Sequence, residues 1–374
     1  MDENIRSLFP ILKETVYLNC AAVGPLPSKT IEAVNKQLAD VSLHGSTNYP
    51  DWVNTKDRAR GLIAAMLCVR PEQIAFMRNT SDGFATVANG VRWERGDNIV
   101  TFAQEFPANF YPWRRIRDTY GVDLKLCPER NGRIDIDEFI GLIDHNTKVV
   151  SISAVQFSTG FRADLERIGN AARKADALFC VDIIQAFGTM PIDLPSQYID
   201  VASSASHKWL LSPEGCGFLF LSDRARERIE PTLVGWISVL DPWDFSDYEQ
   251  AYKPNALAWE TGTGTSSLFY GLEQSLKLIN EIGEAKIENH LEELSDHLCE
   301  ILPRERYEII SSRMNGEKSQ IVCLVNKKGL SSNDVFRELE KNNVVISARG
   351  PRIRISPHFF NDHSDIARLV EKLP

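Results

Sequence analysis

The sequence lacks the features that mark membrane, secreted and nucleic-acid-binding proteins. No apolar stretch approaches the roughly 20 residues that a membrane-spanning helix needs, and the first residues lack the basic-then-apolar order of a signal peptide. The net charge is −9 and the basic residues gather in no single run, which disfavours nucleic acid and anionic membranes as partners. We therefore expect a cytoplasmic protein that acts on a small molecule.

Cysteine is sparse, odd in number and scattered along the chain. The seven cysteines show no spacing typical of zinc ligands, so we predict no metal site. Several lie inside apolar runs, where a free cysteine behaves as a small hydrophobe. This usage favours a reducing compartment over a disulfide-bonded scaffold.

What the chain does contain is an alternation of short apolar runs and helical patterns between residues 50 and 225. The runs are rich in Val, Ile, Phe and Leu without alternation, which is typical of strands buried on both faces. We predict strands at 73–77, 98–102, 122–126, 148–154, 178–182, 200–203 and 216–221, and helices at 81–91, 109–120 and 164–174. This order predicts an α/β fold with a mainly parallel sheet.

The C-terminal part of the chain has a different pattern. Helices are predicted at 266–282, 284–302 and 333–341, strands at 321–325, 344–347 and 352–356, and a last helix that starts near Asp362. We therefore divide the 374 residues into an N-terminal arm (1–25), a large domain (26–265) and a smaller α+β domain (266–374).

Polar residues follow three of the predicted strands, at the sheet edge where ligands bind in open α/β folds. Asp182 ends one strand, Lys208 follows another, and Thr80 and Ser81 follow a third at the start of a helix. Each feature alone is common, since a lysine is usually a surface charge and the other residues are ordinary helix or strand caps. Their combination in one chain, in this order, indicates a specific ligand.

Pyridoxal phosphate (PLP) requires these three features together. Its aldehyde condenses with an amine, its pyridine nitrogen needs a carboxylate, and its phosphate suits the free N–H groups at a helix start. We therefore predict a PLP enzyme in which Lys208 holds the cofactor as a Schiff base.

The chain also resembles a known family over nearly its whole length, from Tyr17 to Asn361. The most specific matching segments are Val181-Asp182 with Gln185, Ser206-His207-Lys208-Trp209 and Glu260-Thr-Gly-Thr263. They resemble the class V aminotransferase and cysteine desulfurase group of fold-type I PLP enzymes, in its isopenicillin-N epimerase-like branch. This resemblance implies a large domain with a mainly parallel seven-stranded sheet and a smaller α+β C-terminal domain.

The resemblance implies a role for each matching residue around the cofactor ring. Lys208 would carry the cofactor and move protons, and Asp182 would pair with the pyridine nitrogen. Gln185 would bind the phenolic oxygen, with Gln156 taking part of that role. Phe106 would stack on the ring, at a position where desulfurases have a histidine.

The resemblance also implies the phosphate and substrate contacts. The phosphate would be bound by Thr80, Ser81 and His207, and Thr263 would reach the phosphate of a second subunit, which implies a homodimer. Arg354 would clamp the substrate carboxylate in a bidentate pair. Arg352 lies two residues away on the same predicted strand face, so the choice between them rests on the resemblance alone.

Two further departures from the desulfurase pattern bear on the reaction. The stretch 344–351 lacks the nucleophilic cysteine that desulfurases carry there, and Cys323 lies inside a predicted strand. Ala205 stands where many relatives have a hydroxyl for the phosphate. We therefore rank a class V aminotransferase first. The alternatives are an epimerase or racemase and a hydrolase or lyase that cleaves at Cβ, of the kynureninase or selenocysteine-lyase type, and a cysteine desulfurase ranks below them.

The alternatives from other classes have less support. A non-catalytic scaffold need not keep the lysine, the aspartate and the arginine together, yet all three are present. A nucleotide-binding protein is disfavoured because the chain has neither a Gly-x-Gly-x-x-Gly segment after a first strand nor a Walker A motif.

Overall fold

The strands of the protein fall into a large sheet and several smaller ones. The computed structural model describes residues 3–374. The strands are β1 (Val16–Tyr17), β2 (Ile74–Met77), β3 (Asn98–Phe102), β4 (Asp123–Cys127), β5 (Glu129–Arg130), β6 (Arg133–Ile134), β7 (Thr147–Ser153), β8 (Leu178–Asp182), β9 (Val201–Ala205), β10 (Gly217–Leu221), β11 (Tyr307–Ile309), β12 (Val322–Asn326), β13 (Val344–Val345), β14 (Ser347–Arg349) and β15 (Arg352–Ile355).

The helices surround these sheets. They are α1 (Glu3–Arg6), α2 (Ser28–His44), α3 (Tyr49–Met66), α4 (Thr80–Gly90), α5 (Tyr111–Tyr120), α6 (Ile136–Gly141), α7 (Leu165–Lys174), α8 (Asp223–Arg228), α9 (Ser266–Ile282), α10 (Glu284–Ile301), α11 (Ser332–Lys341) and α12 (His363–Lys372). Within residues 3–374, none of these helices combines the length and the apolar character needed to cross a bilayer.

The central sheet has seven strands in the order β2-β10-β9-β8-β7-β3-β4. Strand β10 runs antiparallel to both of its neighbours, and the remaining pairs are parallel. Every residue of β3, β8, β9 and β10 is buried, as expected for a sheet covered by helices on both faces. The predicted seven-stranded, mainly parallel α/β sheet is confirmed.

The small sheet carries the C-terminal residues that face the large domain. Its order is β11-β12-β15-β14, and all of its pairs are antiparallel. Helices α10 and α12 supply apolar residues such as Leu294, Leu298 and Ile366 to the core beneath it. The boundaries of the arm and the two domains that we derived from the sequence remain a proposal.

The N-terminal arm connects this small sheet to the large domain. Strand β1 pairs in parallel with β13, and the Ala21 N–H donates to Ser356 Oγ at 3.1 Å. A few residues later, the Gly24 N–H donates to the carbonyl of His207 at 2.8 Å. A Cβ on Gly24 would lie 2.1 Å from the Lys208 carbonyl oxygen, so only glycine allows this approach.

Candidate active site

Two neighbouring parallel strands place the predicted aspartate and lysine on one edge of the large sheet. Asp182 ends β8 opposite Ser203 of β9, and β9 leads within three residues to Lys208. Together with the start of α4 they surround a cavity of about 230 Å³. The polar and aromatic residues of its lining are Asn79, Thr80, Ser81, Phe106, Phe157, Asp182, Gln185, His207, Lys208, Arg349 and Arg354.

Lys208 is an unusual lysine because it is almost completely buried, with 7% of its surface exposed. Burial lowers its pKa to about 8, although Asp182 acts in the opposite direction. The amine lies 5.2 Å from the centre of the Phe106 ring. A lysine with this pKa keeps a neutral, nucleophilic fraction near neutral pH.

Asp182 is buried without a full set of hydrogen bonds. One carboxyl oxygen accepts the Ile184 N–H at 2.9 Å, and the other has no hydrogen-bond partner among the described residues. Burial raises the pKa of Asp182 to about 6, and the positive charge of Lys208 lowers it in part. A cation or an N–H donor placed against the free oxygen would stabilise the ionised form of this carboxyl.

The first turn of α4 forms the third wall of the cavity. Asn79 caps this helix by accepting the Asp82 N–H at 2.9 Å, and the first residues of the helix face the cavity. Gly83 lets the helix lie against β9, because a Cβ there would be 2.3 Å from Ser203 Oγ. Thr80 Oγ1 is buried and finds no partner in residues 3–374. A helix start with an unused hydroxyl is a suitable site for a phosphate.

The structure distinguishes the two arginines of β15. Arg352 forms a bidentate ion pair with Glu129, at 2.7 and 2.8 Å. Arg354 is 1% exposed and lines the cavity, where it donates to the Phe157 carbonyl and to Ser347 Oγ. Its Nη2 is buried and has no partner in the described chain, and burial lowers its pKa to about 10. Arg354 is therefore the arginine available to an anion.

The remaining predicted residues lie at different distances from the cavity. Gln185 lines it, and its amide group already donates to Ala21 O at 3.1 Å and accepts from Trp209 Nε1 at 2.8 Å. His207 also lines the cavity, and burial lowers its pKa. Gln156 is buried behind the lining. Thr263 is exposed beside a separate cavity of about 870 Å³.

Two residues that we did not single out from the sequence belong to this region. Glu105 is buried behind the cavity and accepts hydrogen bonds from Ser153 N at 2.7 Å, Ser153 Oγ at 2.5 Å and Gln156 Nε2 at 2.8 Å. Burial raises its pKa to about 7. Arg349, at the end of β14, lines the cavity itself. Only the sheet register brings Arg349 here, so the local sequence gave no signal for it.

The unused polar atoms test whether PLP fits the cavity. Asp182 Oδ2, Thr80 Oγ1 and Arg354 Nη2 are all buried and lack a partner in the part of the chain that the structure describes. A pyridinium N–H, a phosphate and a substrate carboxylate would satisfy them respectively. Buried polar atoms normally have partners, so three orphaned atoms around one cavity indicate a missing ligand. The residues fit the cofactor.

Comparisons with known proteins agree with this geometry. The chain matches the family described as Aminotransferase class-V over residues 16–369. It is 26% identical to a probable cysteine desulfurase of Methanothermobacter thermautotrophicus, covering 99% of this chain and 97% of that protein. It is 21% identical to an uncharacterized aminotransferase, YcbU, of Bacillus subtilis, covering 100% and 97%.

A solved structure extends the agreement to the fold. The cysteine desulfurase of Thermococcus onnurineus superposes with a TM-score of 0.90 at 22% identity, over 99% of this chain and 96% of that one. This likeness confirms the predicted fold-type I architecture. With the family match over residues 16–369, it leads to one conclusion: the chain belongs to the aminotransferase class-V family, whose cofactor is pyridoxal phosphate.

Proposed function

We propose that this protein is an aminotransferase that acts on an α-amino acid, with Lys208 as its central catalytic residue. The observation that carries the proposal is a single cavity shared by a buried lysine with a lowered pKa and by the orphaned atoms of Asp182, Thr80 and Arg354. These groups supply an amine, a carboxylate, a phosphate ligand and a carboxylate clamp, which together are what amino-group chemistry on PLP requires.

Each side chain has a distinct task in this proposal. When bound, PLP supplies an aldehyde that condenses with amines and a ring that accepts electrons. Lys208 Nζ would take the proton from the substrate Cα, because its pKa of about 8 suits a general base. Asp182 stabilises a positive charge on the pyridine nitrogen. Arg354 orients the substrate by binding its α-carboxylate through its planar fork.

The lining of the cavity favours transamination over racemisation by two bases. Two-base racemisation needs proton carriers on both sides of the Cα carbon, whereas Phe106 and Phe157 are packed edge to face at 5.2 Å beside Lys208. Neither ring can carry a proton. One lysine that serves both ends of a 1,3-proton shift is sufficient for transamination.

The cysteines disfavour a desulfurase that uses a protein thiol. No cysteine belongs to the cavity lining, and Cys323 is fully buried in β12. Burial raises its pKa to about 11, so the thiolate that attacks sulfur is scarce there. Cys68 is exposed, but it follows α3 and lies outside the cavity lining.

A second candidate function is a lyase that cleaves a Cβ–S bond of its substrate. It is supported by the Methanothermobacter relative, which is named a probable cysteine desulfurase and matches almost the whole chain. A lyase that releases its sulfur product directly needs no protein thiol, so the absence of a cysteine from the lining does not count against it.

The proposal includes a homodimer. Helix α2 exposes the apolar side chains Ile31, Leu38 and Val41, which lie on one side of the helix at spacings of seven and three residues. A second apolar surface, the aromatic segment 233–252, includes Leu233, Trp236, Trp243, Phe245 and Tyr248 with exposures of 39% to 91%. Contiguous exposed apolar surface usually marks an interface. In such a dimer, Thr263 would contact the phosphate of the neighbouring subunit.

A single-turnover experiment tests the proposal. The purified protein loaded with PLP is mixed with a panel of L- and D-amino acids, and the cofactor and the products are identified by absorbance and mass. Release of a keto acid with conversion of the cofactor to pyridoxamine phosphate supports the aminotransferase. A cofactor that remains PLP while sulfide or an inverted amino acid appears supports the lyase or an epimerase instead.

The role of Lys208 is tested by borohydride reduction followed by peptide mapping. We expect the cofactor to be fixed on Lys208 in the native protein and not to be fixed in Lys208→Ala. The exposed Lys328→Ala variant serves as the control and should behave as the native protein does. Fixation on another lysine in the native protein would overturn the assignment.

A further inference from the structure

We propose that the cavity binds an α-amino acid whose side chain ends in an anion, in the simplest case a carboxylate, with Arg349 holding that distal group. The inference rests on the proposed function, because it assigns the α-carboxylate to Arg354. It concerns the identity of the substrate, which neither the family nor the named relatives decide.

The register of the small sheet places several polar side chains on one face. Ser347 lies opposite Arg354, and Arg349 lies opposite Arg352, while Ile353 points to the other side, into the core. Residues two apart on a strand share a face, as do residues directly opposite each other in a pair. Three arginines therefore lie side by side on the face that meets the large domain.

Only one of these three guanidinium groups has an acidic partner. Arg352 is neutralised by Glu129 through two hydrogen bonds. Arg349 is half-buried, and its one side-chain hydrogen bond goes to the carbonyl of Ala348 at 3.0 Å. Among residues 3–374, neither Arg349 nor Arg354 forms an ion pair with a carboxylate. The charge of Arg349 helps to lower the pKa of Arg354, so these two guanidinium groups repel each other, and a bound anion would relieve that cost.

The cavity lining also carries more positive than negative side chains. Among residues 3–374, the lining contains Lys208, Arg349 and Arg354 but only one carboxyl, that of Asp182. The phosphate site at α4 belongs to the large domain, whereas the two arginines belong to the small sheet. A single α-carboxylate is sufficient for one fork-shaped guanidinium. The second guanidinium then remains free for a second anion.

The two arginines differ in position, which fixes their order along the substrate. Arg354 is fully buried, while Arg349 is half-buried at the end of β14. Both lower the pKa of Lys208, with Arg354 acting more strongly. The substrate Cα must lie near Lys208, so the α-carboxylate belongs with Arg354 and the end of the side chain belongs with Arg349.

Calorimetry on the PLP-loaded protein tests this inference without relying on turnover. The probes are succinate and glutarate, compared with butyrate and pentanoate, which have the same chain lengths but only one carboxylate. We expect each dicarboxylate to bind about 10-fold or more tightly than its monocarboxylate partner, because a second charge-assisted hydrogen-bonded pair forms. In Arg349→Gln the ratio of dicarboxylate affinity to monocarboxylate affinity should fall to about one. In Arg349→Lys this ratio should be intermediate.

The control is Arg337→Gln, which removes one positive charge from the exposed surface of α11 and should leave the preference unchanged. Equal weakening of both probe classes by Arg349→Gln would mean that the two arginines share one carboxylate, and the inference would fail. Equal affinities in the native protein would also overturn it and would suggest that Arg349 pairs with an acid of a second subunit. Failure of borohydride to fix PLP on Lys208 identifies the separate case in which the proposed function itself is wrong.

Discussion

Two buried carboxyl groups, Glu260 and Asp182, show how the same chemical group is held in opposite ways. Glu260 accepts hydrogen bonds from Lys56 at 2.5 Å, from Arg60 at 2.6 Å and from the Phe76 N–H at 2.9 Å. Burial alone would raise its pKa, but the two cations outweigh burial and lower it to about 2. Asp182 has one N–H partner and an orphaned oxygen, and its pKa is raised to about 6.

The difference indicates which site is structural and which awaits a ligand. Glu260 connects the turn at 260–263 to α3 and β2, and its charge is compensated within the chain. Asp182 is compensated only in part by Lys208, which is itself poorly solvated. A buried charge without full compensation destabilises the protein when no ligand is bound. A ligand of opposite charge stabilises it, so binding is favoured at such a site.

The largest expected effect follows from breaking the ligand-dependent site. In Asp182→Asn the pyridine nitrogen loses its carboxylate, and removal of one partner of a buried charge pair should lower turnover by about 1,000-fold. Because no internal ion pair is lost, the cofactor-free variant should unfold close to the native temperature. Steady-state kinetics measure the turnover, and a thermal unfolding curve measures the unfolding temperature. A variant that turns over at the native rate would mean that the nitrogen has another partner.

Breaking the compensated site should instead affect stability. Glu260→Gln leaves Lys56 and Arg60 facing a neutral amide, which should lower the free energy of unfolding by about 3 kcal/mol. Glu273→Gln is the matched control, because Glu273 is buried but its partners Arg58 and Lys277 are exposed to solvent. Exposed pairs contribute little, so the control should lose less than about 1 kcal/mol. Denaturant unfolding of the two variants distinguishes the sites, and equal losses would contradict the comparison.

The pH dependence of cofactor binding sharpens the contrast further. Asp182 is ionised above its pKa of about 6 and becomes neutral below it, so attraction to a pyridinium is lost as the pH falls through 6. Affinity for pyridoxamine phosphate, which has no aldehyde for Lys208 to attack, should fall up to about 10-fold per pH unit there. Fluorescence titration between pH 5 and 8 measures this, and Asp182→Asn should remove the component that Asp182 contributes.

Glu105 provides the smallest expected effect and a third way to hold a carboxyl group. It accepts three hydrogen bonds from neutral donors, yet its pKa is raised to about 7 by burial. An amide resembles its protonated form, so Glu105→Gln should cost only about 1 kcal/mol of stability. Chemical denaturation measures this. A loss as large as that of Glu260→Gln would show that Glu105 is held as a full charge.

The sequence predicted the large sheet well because its strands have a distinctive composition. The strands at Asn98–Phe102 and Leu178–Asp182 begin and end where we predicted, since uninterrupted apolar runs belong to strands buried on both faces. Helix α2 was not predicted, because its buried residues Thr30 and Gln37 are polar. Its packing on α9 includes a hydrogen bond between Thr30 and Ser275 at 2.8 Å and the close approach of Val34 to Gly271.

The residues of the site that the sequence predicts most directly are those at or just after the end of a strand. Asp182 ends β8 and Lys208 follows β9 by three residues, so the pairing of these two parallel strands brings them to the same edge of the sheet. Gln156 was predicted to face the cofactor, but its amide turns to Glu105 and it does not line the cavity. The orientation of the Gln156 side chain depends on a buried hydrogen bond to Glu105, which is 51 positions away in the sequence. The contact of Gln156 with the phenolic oxygen stays a prediction, because Gln156 Oε1 is buried without a partner in residues 3–374.

The pairing of β1 with β13 and the contact of Ala21 with Ser356 have a consequence for how the protein folds. Ala21 binds Ser356, 335 positions away, and Gln185 of the cavity lining donates to the carbonyl of Ala21. During synthesis the arm therefore lacks these partners until residues 344–356 have been made. Contacts this distant in sequence form late and slowly. A chain truncated before β13 would therefore hold a large domain whose cavity lacks Arg349 and Arg354.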